Sequence, residues 1–258
     1  MLSQGGVPMS MNISTNYRNL SSGYKINSAA DDAAGLSITQ KMETEKNGYD
    51  IGVENAEKGN SVLNVADGAL GSIYDSLSRI RELGIQASNS AIYSKDELQM
   101  MQDEIDQIKQ GIADVAKNTQ FNGLKLLDGS MADMELATNP HGIGHEMEMM
   151  NASLEELGIA DFDVTKSFNL DDIDNALKKV SSAQSSIGAQ SNRLAYTVMN
   201  NQYASYNLDS AISSMKDTDM FEEMSDLQKN SILEQVQIAM QKKRMEEEEQ
   251  KRQIIQVN

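Results

Sequence analysis

Apolar residues recur at alternating steps of three and four along the chain, and this spacing constrains the fold more than any other feature. The first row comprises Leu63, Ala66, Leu70, Ile73, Leu77, Ile80, Gly84 and Ala87. A second row with the same steps comprises Leu98, Met101, Ile105, Ile108, Ile112 and Val115. Because a 3–4 spacing returns to one side of an α-helix every two turns, each row predicts a helix with a packing seam of the coiled-coil type.

The segment between the two rows, residues 88–93, is short. A connection of this length leaves consecutive helices side by side and antiparallel. Ser94 is followed three positions later by Glu97, the spacing of a capping box at a helix N-terminus. We therefore expect two antiparallel helices, near 33–88 and 94–118.

A third row keeps the same register near 172–215, but four of its positions are polar. It comprises Ile173, Leu177, Val180, Gln184, Ile187, Ser191, Leu194, Val198, Asn201, Ser205, Leu208, Ile212 and Met215. Such a mixture is poor for an isolated dimeric zipper. Two interpretations stay open. Either the helix packs inside the chain and also meets neighbouring subunits through small polar contacts, or it completes a three-helix bundle with a hydrated seam.

The residues between the second and third helices have the composition of turns. Asn122-Gly123, Asp128-Gly129 and Asn139-Pro140 are turn signals, and the short runs 124–127 and 162–164 are candidate strands. The predicted fold is therefore mainly α: a long antiparallel coiled-coil helical rod over 33–215, with a small β-hairpin region near 119–170. Residues 1–32 and 216–258 form separate terminal segments.

Charge and composition exclude several classes of function. The chain has 39 acidic and 22 basic residues and a net charge of −17, which argues against nucleic acid or an anionic membrane as the main partner. It has no Cys and only two His, so thiol chemistry and Cys-ligated metals are excluded. No apolar run approaches the roughly 18 residues of a membrane span. We expect no enzyme and no cofactor.

The two histidines are the strongest candidates for a metal site. His141 and His145 have the i, i+4 spacing that converges on one ion when the segment is helical. Pro140, Gly142 and Gly144 argue against a helix there, so we predict a loop and no metal. The acid pairs Asp31-Asp32 and Asp171-Asp172 are explained as helix caps and dipole partners.

The C-terminal region combines an apolar face with a block of charge. The apolar positions are Phe221, Met224, Leu227, Ile232, Val236, Ala239 and Met240. Residues 242–252 then carry nine charges of both signs in eleven positions. Charges of both signs at helical spacing favour a solvated helix.

Five motifs in this order resemble the bacterial flagellins. They are LSSGYKINSAADDAAGL at 20–36, RIREL at 79–83, NTQFNG at 118–123, QSNRL at 190–194 and DTDM at 217–220. The resemblance implies a non-catalytic subunit of the extracellular flagellar filament that assembles with other flagellin subunits. It also implies export without a cleaved signal, with a flagellar secretion chaperone bound to the C-terminal segment. The positions read by the flagellin-sensing Toll-like receptor fall on Arg79, Leu83 and Glu104.

Two departures from the family pattern concern the termini. Ile13–Asn16 is followed almost directly by Tyr17 and the 20–36 motif, so the inner N-terminal helix looks truncated, and Gly5-Gly6-Val7-Pro8 cannot extend it backward. Residues 242–252 replace an apolar tail. We therefore expect a poor filament former by itself. The alternative function is a non-polymerising or minor flagellin-like protein that acts as a junction or cap piece, or that regulates flagellar export.

Overall fold

The computed structural model is mainly α-helical, as the sequence predicts. It describes residues 9–89, 92–130, 133–142 and 144–256, and the side chains of these except 9–12 and 253–256. The expectation for Gly5–Pro8 lies outside the described residues. The helices are α1 (Met9–Ser22), α2 (Ala33–Ala87), α3 (Lys95–Asn118), α4 (Leu154–Leu157), α5 (Leu170–Lys216) and α6 (Met220–Gln256). The strands are β1 (Gln120–Phe121), β2 (Leu124–Lys125), β3 (Asp133–Ala137) and β4 (Gly144–Glu148).

The chain divides into two compact units. The central unit is Glu45–Ser205, and the terminal unit comprises Met1–Thr44 and Tyr206–Asn258. Within the central unit, α2 and α5 are antiparallel, because Asn60 contacts Ser191 and Arg81 contacts Asp174.

One apolar cluster forms the core of the central unit, and the predicted seams lie in it. Fully buried seam residues are Leu63, Leu70, Ile73, Leu77, Ile80, Ile105 and Ile112, and Ile187 and Leu194 are buried as well. Ile108 and Leu177 are half-buried and pack against the cluster. Leu208 belongs to the terminal unit, where it is half-buried.

At three of the four polar seam positions of α5, the side chain is hydrogen-bonded within the chain. Ser191 Oγ donates to Asn60 Oδ1 at 2.6 Å, and Ser205 Oγ donates to Asp50 Oδ1 at 2.6 Å. Asn201 Nδ2 donates to the carbonyl oxygen of Thr138 at 2.6 Å. Because buried polar groups need partners, these residues serve the packing of the chain itself.

The region between α3 and α5 holds two antiparallel hairpins, β1–β2 and β3–β4. Asn122 and Gly123 both have positive φ, 50° and 83°, the backbone that a tight two-residue hairpin loop requires. Of the predicted run 124–127, only Leu124 and Lys125 pair as a strand.

The strand predicted at 162–164 is wrong. Phe162 and Val164 are buried in a loop, and the Val164 N–H donates to the Gln102 side chain at 2.8 Å. A side-chain acceptor therefore takes the place of a neighbouring strand. The apolar run reflects burial, and burial alone does not distinguish a strand from a packed loop.

In the terminal unit, α1 packs against the first part of α6. Asn16 Nδ2 donates to Glu223 Oε1 at 2.7 Å, and Asn230 Nδ2 donates to Asn16 Oδ1 at 3.1 Å. The loop before α2 is fastened to the end of α5, where the Lys25 N–H donates to the Lys216 carbonyl at 2.8 Å.

The paired acids lie at helix starts, with one correction. Asp32 Oδ1 accepts the Gly35 N–H at 2.9 Å, which is the cap predicted for α2. In the second pair, Asp171 and Asp172 lie inside the first turn of α5, which begins at Leu170. Asn169 Oδ1 accepts the Asp171 N–H at 3.0 Å, so the capping contact comes from an amide one step upstream.

Candidate recognition and assembly surfaces

Arg79 on α2 and Glu104 on α3 form an exposed ion pair in the central unit. Arg79 Nη2 lies 2.8 Å and Nε 3.0 Å from Glu104 Oε1, and Nη1 lies 3.1 Å from Glu82 Oε2. The hydrogen bond that Arg79 donates to Glu104 is the main cause of the raised pKa of its guanidinium. The structure thus brings together two of the three residues that the resemblance assigns to receptor recognition.

Leu83, the third of these residues, lies in the core. Only 2% of its surface is exposed, because it lies on the side of α2 that contributes to the apolar cluster. In this structure Leu83 therefore supports the surface that carries Arg79 and Glu104 and does not line it.

The N-terminal end of α3 carries the predicted capping box. The Ser94 side chain accepts the Glu97 N–H, while Glu97 Oε2 accepts the Ser94 N–H at 2.7 Å. The Ser94 N–H lowers the pKa of Glu97 below its usual value. Further along, Lys109 Nζ donates to the Ala160 carbonyl at 2.7 Å. The capping box fixes the start of α3, and the Lys109 contact fixes α3, and with it Glu104, within the central unit.

Large apolar side chains are exposed along α6, and we call this surface the α6 apolar face. Its members are Phe221, Met224, Ile232, Leu233, Val236, Ile238 and Met240. Phe221 is 91% exposed. The residues of α6 that contact α1, Glu223 and Asn230, are polar. Half-buried Leu227 shares the side of α6 that holds Glu223 and Asn230, whereas the residues of the α6 apolar face are exposed in the single chain.

The charged block at 242–252 continues α6 as an exposed helix. All eleven side chains are exposed, and the helix extends to Gln256. This agrees with the solvated helix that the mixed charges predict.

The two histidines lie in different elements of secondary structure. His141 is in the turn after Asn139, and His145 is on β4. His145 Nε2 is 2.7 Å from Thr197 Oγ1, and partial burial, followed by the charge of Arg193, lowers the pKa of its imidazole. Within 9–89, 92–130, 133–142 and 144–256, no three His, Cys, Asp or Glu side chains are placed to hold a metal ion.

Exposed tyrosines on α5 are a feature that the sequence analysis missed. Tyr196 and Tyr203 are 73% and 66% exposed. A signal was available, because residues 181–203 contain one charged residue, Arg193, in a chain that is 24% charged.

No helix in the described part of the chain is both long enough and apolar enough to cross a membrane.

Comparison with known proteins gives the same family as the five motifs. The model of the bacterial flagellin N-terminal helical region matches residues 8–132, and that of the C-terminal helical region matches 170–248. The chain is 37% identical over 228 residues to a flagellin of Halalkalibacterium halodurans, covering 86% of this chain and 84% of that protein. It is 34% identical over 251 residues to the flagellar filament 33 kDa core protein of Treponema phagedenis, covering 89% and 87%.

A solved structure has the same fold. The crystal structure of Bacillus cereus flagellin superimposes with a TM-score of 0.51 at 25% identity, covering 57% of this chain and 88% of that one. This similarity agrees with the long helices and small antiparallel sheets described above. On the matched regions, the sequence identity and the fold together, this chain belongs to the bacterial flagellins, a family of structural and not catalytic proteins.

Proposed function

We propose that this chain is a self-assembling subunit of the extracellular flagellar filament, joined to other flagellin subunits through the α6 apolar face. The observation that carries the proposal is the exposure of seven large apolar side chains on one helix. Contiguous exposed apolar surface marks sites of protein–protein interaction. The name of the Treponema phagedenis relative, a flagellar filament core protein, supports the same function.

Assembly through the α6 apolar face would remove large apolar side chains from water. Burying one Val, Leu, Ile, Phe or Met side chain contributes about 1.5–3 kcal/mol. Association also costs translational freedom, so several such side chains must be buried together.

We propose that residues 1–32 and 216–258, both within the terminal unit, form the inner part of the filament, and that 33–215 forms the outer helical part.

Assembly is tested with one substitution on the α6 apolar face and a control on another side of the same helix. In the presence of preformed flagellin seeds, the wild-type chain should sediment as filaments that electron microscopy detects. Ile232→Glu should abolish pelleting, because a carboxylate cannot be buried in an apolar contact without a partner. Gln237→Glu adds the same charge at an exposed position of α6 and should pellet like the wild type. Equal pelleting of both variants would show that this face is not the contact.

A second candidate function is favoured by the charged block at 242–252. Burying nine charged side chains without partners would cost more than neighbouring apolar residues return. A subunit of this kind is suited to a filament end or junction, or to a regulator of export. The same sedimentation assay distinguishes the two functions. A cap or junction piece binds preformed flagellin seeds without lengthening them, whereas a filament subunit lengthens them.

We also propose two partners on the basis of family resemblance. The exposed α6 apolar face is suited to bind a flagellar secretion chaperone before export, since it would be covered until assembly. The exposed pair of Arg79 and Glu104 is suited to contact the flagellin-sensing Toll-like receptor, with Leu83 holding the surface from below.

The receptor proposal predicts a difference between two neighbouring arginines. Arg79→Ala should weaken receptor signalling in a reporter assay by roughly tenfold or more, because Arg side chains often dominate binding energy at interfaces. Arg81, which pairs with Asp174 at 2.6 Å, is the control, and Arg81→Ala should signal like the wild type. Signalling that is absent from all three proteins, or unchanged by Arg79→Ala, would remove this partner.

A further inference from the structure

Hairpin β3–β4 packs one of its two faces against the long helices of the central unit. The inward side chains are half-buried or buried, whereas those at the alternate positions are exposed. The inward residues are Met134, Leu136, His145 and Met147. A Cβ at Gly59 on α2 would lie 2.4 Å from Leu136 Cδ2 and 3.5 Å from Met147 Sδ. The inner face of the hairpin is thus apolar except for one imidazole.

The hydrogen bonds of Thr197 on α5 place the hydrogen of the His145 imidazole on Nε2. Thr197 Oγ1 donates its single hydrogen to the Arg193 carbonyl at 3.0 Å. It therefore accepts from the imidazole, whose Nε2 lies 2.7 Å away. In the neutral ring, Nε2 then carries the hydrogen and Nδ1 carries a lone pair. Nδ1 is buried and has no hydrogen-bond partner among the described residues.

Protonation of the ring would place a second N–H donor, on Nδ1, and a positive charge in this contact. A buried donor without an acceptor is unfavourable, and an unpaired buried charge is more so. In the released hairpin, water would solvate both the donor and the charge. A proton on His145 therefore favours release over docking.

The charged groups around the ring do not offset this effect. Burial, followed by the like charge of Arg193 on α5, lowers the pKa of the imidazole. The acidic residues of β3 and β4 occupy the exposed alternate positions of the hairpin. Residues of α2 that contact the hairpin or the turn between its strands include Gly52, Asn55 and Gly59, none of them charged.

The other hydrogen bond between β4 and α5 is long. Gln190 Nε2 donates to the Glu148 carbonyl at 3.4 Å, beyond the usual range for N–H donors. Gln190 Oε1 is buried and, within the described part of the chain, has no partner. The turn after β3 is held more firmly, because Asn201 Nδ2 donates to the Thr138 carbonyl at 2.6 Å. Strand β4 therefore depends strongly on the contact between His145 and Thr197.

We propose that His145 is an acid-sensitive switch, in which a proton on its imidazole releases strand β4 from α5 while the long helices stay folded. The released imidazole has the ordinary pKa of about 6.5, whereas the pKa of the docked imidazole is lower, so the released state binds the proton more tightly. Docking is therefore at full strength above about pH 6.5 and weakens as the pH falls below that value. The inference goes beyond the proposed function, since it concerns a contact within a single chain.

Hydrogen exchange of the full-length chain tests the switch, with each amide rate divided by its intrinsic rate at the same pH. Between about pH 7.5 and about pH 5.5, the opening of the β4 amides should increase several-fold, with a limit of about tenfold set by the ordinary pKa of imidazole. His145→Gln keeps an N–H donor and does not titrate, so the increase should be absent. His141→Gln, at an exposed position of the turn, is the matched control and should behave like the wild type.

The outcomes separate the switch from general acid sensitivity. An increase in the wild type and in His141→Gln, but not in His145→Gln, supports it. An equal increase in all three proteins, no increase in the wild type, or an equal increase at the amides of α2 refutes it.

A second variant decides the matter if circular dichroism shows that His145→Gln is unfolded. Arg193 is exposed, so Arg193→Gln removes the like charge at a position that tolerates a polar side chain. The increase should be smaller in Arg193→Gln than in the wild type, and an equal increase would refute the switch.

Discussion

Ile73→Ala is expected to lower the free energy of unfolding of the central unit by about 3–4 kcal/mol, the largest stability effect we predict. Ile73 lies at the middle of the first seam and is fully buried, in one cluster with Leu70, Leu77 and Ile105. Truncation to Ala removes three carbon atoms from this core and leaves a cavity whose walls relax only partly, and such changes cost about 2–5 kcal/mol. Urea titration followed by far-ultraviolet circular dichroism measures the change.

Ile51→Ala is the matched control, because it makes the same change on the same helix and in the same unit. Ile51 is 58% exposed, so little packing is lost, and Ala has the higher helix propensity. We expect a change within about 0.5 kcal/mol of zero. Equal losses for Ile51→Ala and Ile73→Ala would contradict the assignment of the seam to the core.

Gly52→Ala is expected to destabilise the central unit by about 1–3 kcal/mol, the usual cost of overpacking. A Cβ at Gly52 would lie 2.4 Å from the carbonyl oxygen of Thr138 and 2.8 Å from Asn201 Nδ2. Neither atom moves easily, because Asn201 donates to that carbonyl at 2.6 Å. The residue after strand β3 is thus held against α2 at a position that only Gly permits. Chemical denaturation of the purified variant gives the loss.

Gly68→Ala, on the same helix, should have the opposite sign. A Cβ there has no atom within 4 Å, so the substitution adds helix propensity without a clash and should stabilise by about 0.5–1 kcal/mol. If Gly52→Ala also stabilised the unit, the contact between α2 and Thr138 would be refuted.

The helices could be predicted closely because their signals are local. The 3–4 rows predict α2, α3 and α5, and Ser94 with Glu97 predicts the start of α3 through a contact between residues three apart. The turn at Asn122-Gly123 is equally local, since its backbone conformation depends on those two residues.

The strands were harder to predict because each is too short to show a clear periodicity. Their pairing also joins residues from separate parts of the sequence. Strands β3 and β4 have alternating burial, but they are five residues long and flank Asn139-Pro140, so the sequence showed only turn signals. Val164 is buried like a strand residue, and its N–H found an acceptor in Gln102, 62 positions away. No local pattern contains that partner.

The candidate recognition surface was likewise predicted only in part. Residue spacing placed Arg79 and Leu83 one turn apart on α2 and Glu104 on the neighbouring helix. It did not show that Arg79 pairs with Glu104 while Leu83 is buried. That outcome depends on how far α2 is rotated toward the core, which the packing of several helices decides together.

By itself, the sequence determined that the long segments α2, α3, α5 and α6 of this flagellin are helical, which of their sides are apolar and where charge accumulates, because these follow from composition at helical spacing. Only the tertiary structure decided what each side faces. It paired polar seam residues such as Asn201 with hydrogen-bond partners from distant parts of the chain, and it left the α6 apolar face exposed. The physical reason is that burial is a property of the assembled helices. The spacing of an apolar residue is the same whether that residue packs in the core of its own chain or lies exposed where another subunit can bind.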